Sequence, residues 1–350
     1  MSNKKRIVIV GAGVISASHA RAITAHNEAE LVAICDIELE KAEKLASEFG
    51  VAKVYTDYEK MFEQEAIDIV SVCVPSGLHA EVTIAAAKNG IHVLCEKPLD
   101  ITSEKMSKMI EACKSGNVKL GAVYQRRTLD AAIQTRKAIQ EGKLGKLVLG
   151  DAYLKYYRSP EYYKSAGWRG TWEIDGGGAL MNQGIHGVDL IQWMVGEVES
   201  VFAYTAPLVR NIEVEDTAVI AVKYKNGAFG VIQGTTSVYP GQETRFELHG
   251  EKGSIIFGDS GFKQWEFMDS DEEIPQVSNT EGGSSDPKAI SNKGHSIFVD
   301  DMIQAIKEDR EPLVSGEEAR KAVDLLLAIY ESARTGKEVK INALRELNYK

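Results

Sequence analysis

"RIVIVGAGVIS", residues 6–16, decides the fold. Its apolar run ends in glycine and passes directly into a segment with helical spacing. That is the pattern of a strand buried on both faces, a tight turn and a helix start. Gly11 takes the turn, and Gly13, lacking a side chain, lets a pyrophosphate approach the backbone. There the first N–H groups and the dipole of the helix favour an anion. Val14 and Ile15 continue the same turn and join the expected dinucleotide contacts. Ser16 stands where the usual pattern has its third glycine, a small change at a packing position. Asp36 ends the next strand, "ELVAICD", about 20 residues on, where a carboxylate accepts from adenosine ribose hydroxyls. It would repel a 2′-phosphate, and Ile37 and Glu38 follow with no arginine adjacent, so NAD is expected over NADP. A purely local role for Asp36 is to cap the helix that starts near Glu38.

Outward from this unit the first third alternates strand and helix signals. "AIDIVSVCVP", "IHVLCEKP" and "VKLGAVYQ" repeat the buried-strand pattern, with helical stretches such as "ELEKAEKLASEFG" and "TSEKMSKMIEACKSG" between them. The class is therefore α/β, opening with a doubly wound parallel sheet covered by helices on both faces. After the helix "TLDAAIQTRKAIQEGKLG" the character changes. "KLVLGDAYLKYY", "VESVFAYTA", "TAVIAVKYKNGAFGVIQGTTSVY", "TRFELHGEKGSIIFGD" and "FKQWEFMD" read as strands joined by turns, so the second domain is α+β with an antiparallel sheet. The expected domains are 1–124 and 125–350. Residues 270–293 are polar and aperiodic and read as a long loop, and two amphipathic helices follow.

A length of 350 residues suggests two domains, and 44% hydrophobic with 26% charged residues is ordinary for a soluble protein. A net charge of −10 offers no basic footprint, so nucleic acid and anionic membrane are not expected as partners. No signal peptide or membrane span is expected. Cys35, Cys73, Cys95 and Cys113 form no CxxC pair, so no metal or redox dithiol is expected, and they read as buried thiols of a cytoplasmic protein.

Two strand ends carry unusual chemistry: "CVPSGLHAE" (73–81), with Pro75, Ser76 and His79, and "CEKPLD" (95–100), with Glu96 and Lys97. Ligands of open α/β sheets bind beyond such ends, and the proline directs the preceding lysine. Further on, "EIDGGGALMNQGIHGVD" (173–189) sets three glycines before a helical pattern. There Asn182, His186 and Asp189 share one expected face, and the glycines would let backbone approach bound ligands.

With "GAGVIS", "CEKP", "GWRGTWEIDGGGALMNQGIHGVD" and the strand-rich second half in this order, the chain resembles the Gfo/Idh/MocA oxidoreductases over nearly its whole length. The resemblance implies a Rossmann domain followed by a domain whose large, mostly antiparallel sheet often forms a homodimer or homotetramer interface. It implies that Lys97 contacts substrate and nicotinamide, that His186 is the usual general base, and that Trp168 and Arg169 fold over the cofactor. Gln125, Ser76 and His79 are expected at the cofactor. Many relatives have an aspartate four residues before the histidine, and Asn182 stands there in this chain. The base is then His186 or Lys97, with Asn182 binding a substrate hydroxyl or orienting the ring. The expected activity is hydride transfer between nicotinamide and a secondary alcohol of a sugar, sugar derivative or cyclitol. The alternatives are a glycosidase that oxidises its sugar transiently and a dinucleotide-binding regulator without turnover.

Overall fold

The structure, a computed structural model, describes residues 4–277 and 293–341. The first compact unit starts with β1 (Lys5–Val10), α1 (Ser16–Ala25), β2 (Ala29–Cys35), α2 (Leu39–Phe49), β3 (Val54–Tyr55) and α3 (Tyr58–Gln64). It continues with β4 (Ile69–Val72), α4 (His79–Lys88), β5 (His92–Cys95), α5 (Ser103–Ser115) and β6 (Leu120–Ala122). Its six strands are all parallel, in the order β3-β2-β1-β4-β5-β6. Val8, Ile9, Ile34, Val70 and Val93 are fully buried, which is why these strands read as unbroken apolar runs. The order reverses between β1 and β4, so their carboxyl ends diverge into the crevice where such sheets bind ligands.

The second unit contains α6 (Asp130–Gln140), β7 (Leu147–Lys155), α7 (Pro160–Lys164), a π-helical turn (Ala179–Gly184) and α8 (Ile185–Val195). Then come β8 (Val198–Ala206), β9 (Thr217–Tyr224), β10 (Phe229–Thr235), β11 (Arg245–Gly250), β12 (Gly253–Gly258) and β13 (Gly261–Phe267). Helix α9 (Lys293–Glu308) belongs to the first unit, α10 (Gly316–Thr335) follows, and β14 (Val339–Lys340) closes the second sheet. That sheet has the order β13-β12-β11-β7-β10-β9-β8-β14 and is antiparallel except for the parallel pair β7–β10. The sequence divides once, near residue 124. The compact units instead part after Gln125, and the first includes α9 and the chain to Arg320.

Strand β9 alternates cleanly: Ala218, Ile220, Val222 and Tyr224 are buried, whereas Val219 and Lys223 face outward. Helix α8 covers the buried face against β7, and glycines set the spacing. A Cβ on Gly187 would lie 2.3 Å from Leu154, and one on Gly150 would lie 2.5 Å from Val195. All four cysteines are free and buried. No helix among the described residues is long and apolar enough to cross a membrane. Of the long loop expected at 270–293, residues 278–292 lie outside the described residues.

Candidate active site

The fingerprint turn has the geometry that a dinucleotide needs. Gly11 sits at φ 98°, and a Cβ there would lie 2.5 Å from the Cys73 carbonyl carbon, so no other residue fits between the two strand ends. Among the described residues, a Cβ on Gly13 would meet nothing within 4 Å, a side of the turn that a ligand could approach. No side chain caps α1. Ser16 is fully buried and its hydroxyl donates to the Gly13 carbonyl at 2.5 Å, so the departure from glycine is satisfied inside the turn.

Asp36 ties this turn to the end of β2: Oδ2 accepts from the Ala12 N–H at 2.6 Å and Oδ1 from the Glu38 N–H at 2.9 Å. A carboxylate offers about four lone-pair positions, so acceptor capacity remains for ribose hydroxyls. Val14 and Ile37 on either side are 72% and 88% exposed, large apolar side chains available to a bound adenosine. These residues fit NAD. Asp36→Ser is expected to raise the KM for NAD+ about 10-fold and to narrow the preference over NADP+. Initial rates with both cofactors check this.

At the end of β5 the Lys97–Pro98 peptide is cis and Lys97 is half-buried. Two residues expected at the cofactor have partners inside the protein. His79 is buried, with Nδ1 2.8 Å from the Pro98 carbonyl and Nε2 2.9 Å from the Val74 carbonyl. A carbonyl only accepts, so the ring donates to one of the two in a given neutral tautomer, and His79 lies between the loops that follow β4 and β5. Glu96 is also buried, with its carboxylate committed to His19, His295 and the Lys97 N–H. Ser76 begins a single 3-10 turn before α4, and Gln125 is buried just after β6.

In the second unit the triple glycine has an internal cause. A Cβ on Gly178 would lie 1.8 Å from the Glu215 carbonyl oxygen, and one on Gly177 would lie 2.2 Å from the Tyr330 hydroxyl. The backbone approaches Glu215 and α10, which accounts for Gly177 and Gly178 without a ligand. Glu215 in turn caps the π turn: Oε2 accepts from the Gly178 N–H and Oε1 from the Leu180 N–H, both at 2.9 Å, and the Tyr330 hydroxyl donates to Oε1.

Burial pushes the Glu215 carboxyl up to about 7, against the pull of those amide donors. A carboxyl raised above its unfolded value stabilises the fold fully below the ordinary carboxylate range and loses that contribution as pH rises through about 7. Glu215→Gln is therefore expected to flatten the dependence of melting temperature on pH between about 5 and 8. Thermal melts across that range read it.

Asn182, His186 and Asp189, expected on one helical face, fall on two consecutive elements. Asn182 lies in the π turn, whereas His186 and Asp189 lie on α8. Such wider turns concentrate at functional sites. Asp189 is structural. It pairs bidentately with Arg127 in the buried interior, Nε to Oδ2 at 2.8 Å and Nη2 to Oδ1 at 2.6 Å.

Asn182 donates from Nδ2 to Asp175 Oδ1 at 2.8 Å, and Asp175 Oδ2 accepts the Gly170 N–H at 2.9 Å. Because a carboxylate only accepts, this contact fixes the amide orientation and turns Asn182 Oδ1 the other way. Asp175 thus places a carboxylate one hydrogen bond from the Asn182 amide. It lies inside the quoted motif, but its spacing gave no signal. His186 is buried on the first turn of α8.

Trp168 and Arg169 lie beside this segment's partners. The Arg169 guanidinium sits 4.6 Å above the Trp168 ring and 4.4 Å above Tyr162, and its Nη1 donates to the Tyr162 hydroxyl at 2.7 Å. Gln183 donates to the same hydroxyl at 2.8 Å. Arg158 also stands over Tyr162, so two guanidinium groups share that ring, and Arg210 stands over Tyr157.

Residues 5–124 match the model of an oxidoreductase family with an NAD-binding Rossmann fold, and residues 133–256 match the GFO/IDH/MocA C-terminal domain. The chain is similar to the WlbA dehydrogenase of Bordetella pertussis, solved with NADH and UDP-GlcNAcA. The two are 37% identical with a TM-score of 0.86, covering 96% of this chain and 98% of that one. A WlbA dehydrogenase from Chromobacterium violaceum, solved with the same two ligands, is also 37% identical with a TM-score of 0.87, covering 97% and 96%. Myo-inositol 2-dehydrogenase of Thermotoga maritima is 29% identical over 96% of this chain and 98% of its own.

Proposed function

The chain belongs to the Gfo/Idh/MocA oxidoreductase family, and from that premise we propose that it oxidises a secondary alcohol of an anionic, nucleotide-linked sugar with NAD+. The observation that carries this reading is the pairing, within one compact unit, of the Gly11–Asp36 dinucleotide cradle with Lys97 at the end of β5. When bound, NAD+ supplies the hydride acceptor. Lys97 donates to the reacting oxygen and stabilises negative charge building there, His186 takes the hydroxyl proton, and Asn182 accepts from a neighbouring hydroxyl through Oδ1. Gly13, Val14, Ile15, Ile37, Pro75, Ser76, Gln125, Trp168 and Arg169 complete the proposed cofactor contacts.

Two observations support the anionic sugar. Arg158, Arg169 and Arg210 gather over Tyr157 and Tyr162, and guanidinium groups suit carboxylate and phosphate recognition. The WlbA relatives were solved with UDP-GlcNAcA. We also read the protein as a cytoplasmic homodimer or homotetramer. Tyr204, Val219, Phe229 and Leu149 are exposed, and their cross-strand register puts them on one face of the second sheet.

The test is a panel of UDP-GlcNAcA, inositols and free hexoses with NAD+ or NADP+, read at the nicotinamide absorbance. NADH formation with UDP-GlcNAcA supports the reading. NADH formation with inositol alone moves the substrate to a cyclitol. Glycosidic cleavage without net NADH would replace it with transient oxidation.

A further inference from the structure

Outside the residues given catalytic roles, the first unit holds a buried cluster drawn from four elements. Glu96, at the end of β5, is 4% exposed. Its Oε1 lies 2.8 Å from His19 Nε2 on α1 and 3.3 Å from His295 Nε2 on α9, and its Oε2 accepts the Lys97 N–H at 3.1 Å. His19 Nδ1 lies 3.2 Å from the Ser71 hydroxyl on β4, and the two imidazoles meet edge to face at 5.1 Å. The His295 Nδ1 is buried without a hydrogen-bond partner among the described residues, so that ring's one hydrogen bond among them is to Glu96.

Burial pushes the Glu96 carboxyl up, but the hydrogen bonds from His19 and His295 outweigh it and hold the group well below the ordinary carboxylate range. Burial also lowers the His19 imidazole, against the pull of Glu96. A neutral His19 facing a carboxylate must carry its proton on Nε2, which leaves Nδ1 to accept from Ser71. The cluster is thus one buried anion with three N–H donors, the third being the backbone of the lysine that follows it. An anion in such a place is costly unless every lone pair facing the interior is used.

We propose that Glu96 is a positioning residue for Lys97: clamped between His19 and His295, it fixes the Cys95–Pro98 turn relative to α1, the helix whose N-terminus faces the cofactor cradle. Charge and geometry both enter. Glutamine at 96 has one acceptor atom, so if it serves the imidazoles, its amide N–H groups face the Lys97 N–H. The turn then loses the bond that sets the lysine. The ligand atoms of His19, Glu96 and His295 all lie within 4.8 Å of one another, a spacing that could also hold a metal ion. The hydrogen-bonded arrangement already satisfies the carboxylate.

The inference rests on the dehydrogenase reading, and its test separates the two. Glu96→Gln is expected to lower the melting temperature by a few degrees yet to bind NADH within about threefold of wild type, while kcat falls about 30-fold at nearly constant substrate KM. His295→Gln, which retains an amide donor, is expected to restore most of the turnover that His295→Leu loses. Loss of NADH affinity in step with kcat in Glu96→Gln, or no loss of turnover, would overturn the proposal. A wild-type protein inert toward the whole substrate panel defeats the dehydrogenase reading. In that event, or if the variants do not fold, nitrogen-15 imidazole spectra of the wild type decide. A neutral Nε2–H His19 supports the clamp, and a cationic or Nδ1–H ring, or stoichiometric metal in the purified protein, would end it.

Discussion

Lys97→Ala is expected to lower kcat by about 10³-fold or more while NADH affinity stays within about threefold. The side chain is credited with a hydrogen bond to the reacting oxygen that strengthens as charge builds on it. Removing such a donor costs the transition state more than the ground state, so kcat falls and the substrate KM moves little. His186→Ala is expected to fall by a similar factor, with partial recovery at high pH where hydroxide can take the proton. The measurement is steady-state turnover beside fluorescence titration of NADH. A Lys97→Ala protein that loses cofactor binding and turnover together would assign the lysine to the dinucleotide instead.

Gly178→Ala is expected to destabilise the protein by at least about 3 kcal/mol, a large share of the whole stability of a typical domain. The added methyl would sit 1.8 Å from the Glu215 carbonyl oxygen, and that oxygen accepts the Ala179 N–H at 2.9 Å at the entry to the π turn. Neither backbone can retreat without breaking the bonds from Gly178 and Leu180 to the Glu215 carboxyl. Gly13→Ala is the control, because a Cβ there meets nothing within 4 Å. It should leave stability nearly unchanged and weaken NADH binding. Denaturant midpoints for the two variants separate packing from ligand approach.

These two glycines show where the sequence is readable. Gly11 and Gly13 sit between a buried strand and a helix, so their purpose follows from neighbours a few residues away. Gly178 meets Glu215, a residue of a distant strand entry, and local spacing gives no hint of it. The parallel strands β1, β2, β4, β5 and β6 announce themselves as apolar runs, and β9 by alternation. Strands β3 and β14 are two residues each, too short for any period to register.

Asn182, His186 and Asp189 keep the helical spacing in sequence, and the structure divides them between a π turn and α8. Its partner Asp175 and the Arg127 that holds Asp189 come from elements whose meeting depends on tertiary packing. The same holds for His295, which joins His19 and Glu96 from a helix near the far end of the chain. Motif chemistry was legible, whereas the second partner of each motif residue was not.

The central claim is direct transfer of a carbinol hydrogen from sugar to nicotinamide. Its closest test uses UDP-GlcNAcA deuterated at its ring carbinol carbons, with NAD+ and the purified protein, and mass analysis of the nicotinamide product. The account predicts NADH carrying one deuterium, formed in step with the oxidised sugar and absent with Lys97→Ala. Oxidised sugar accompanied by unlabelled NADH, or deuterium released to water with no NADH accumulating, would contradict it.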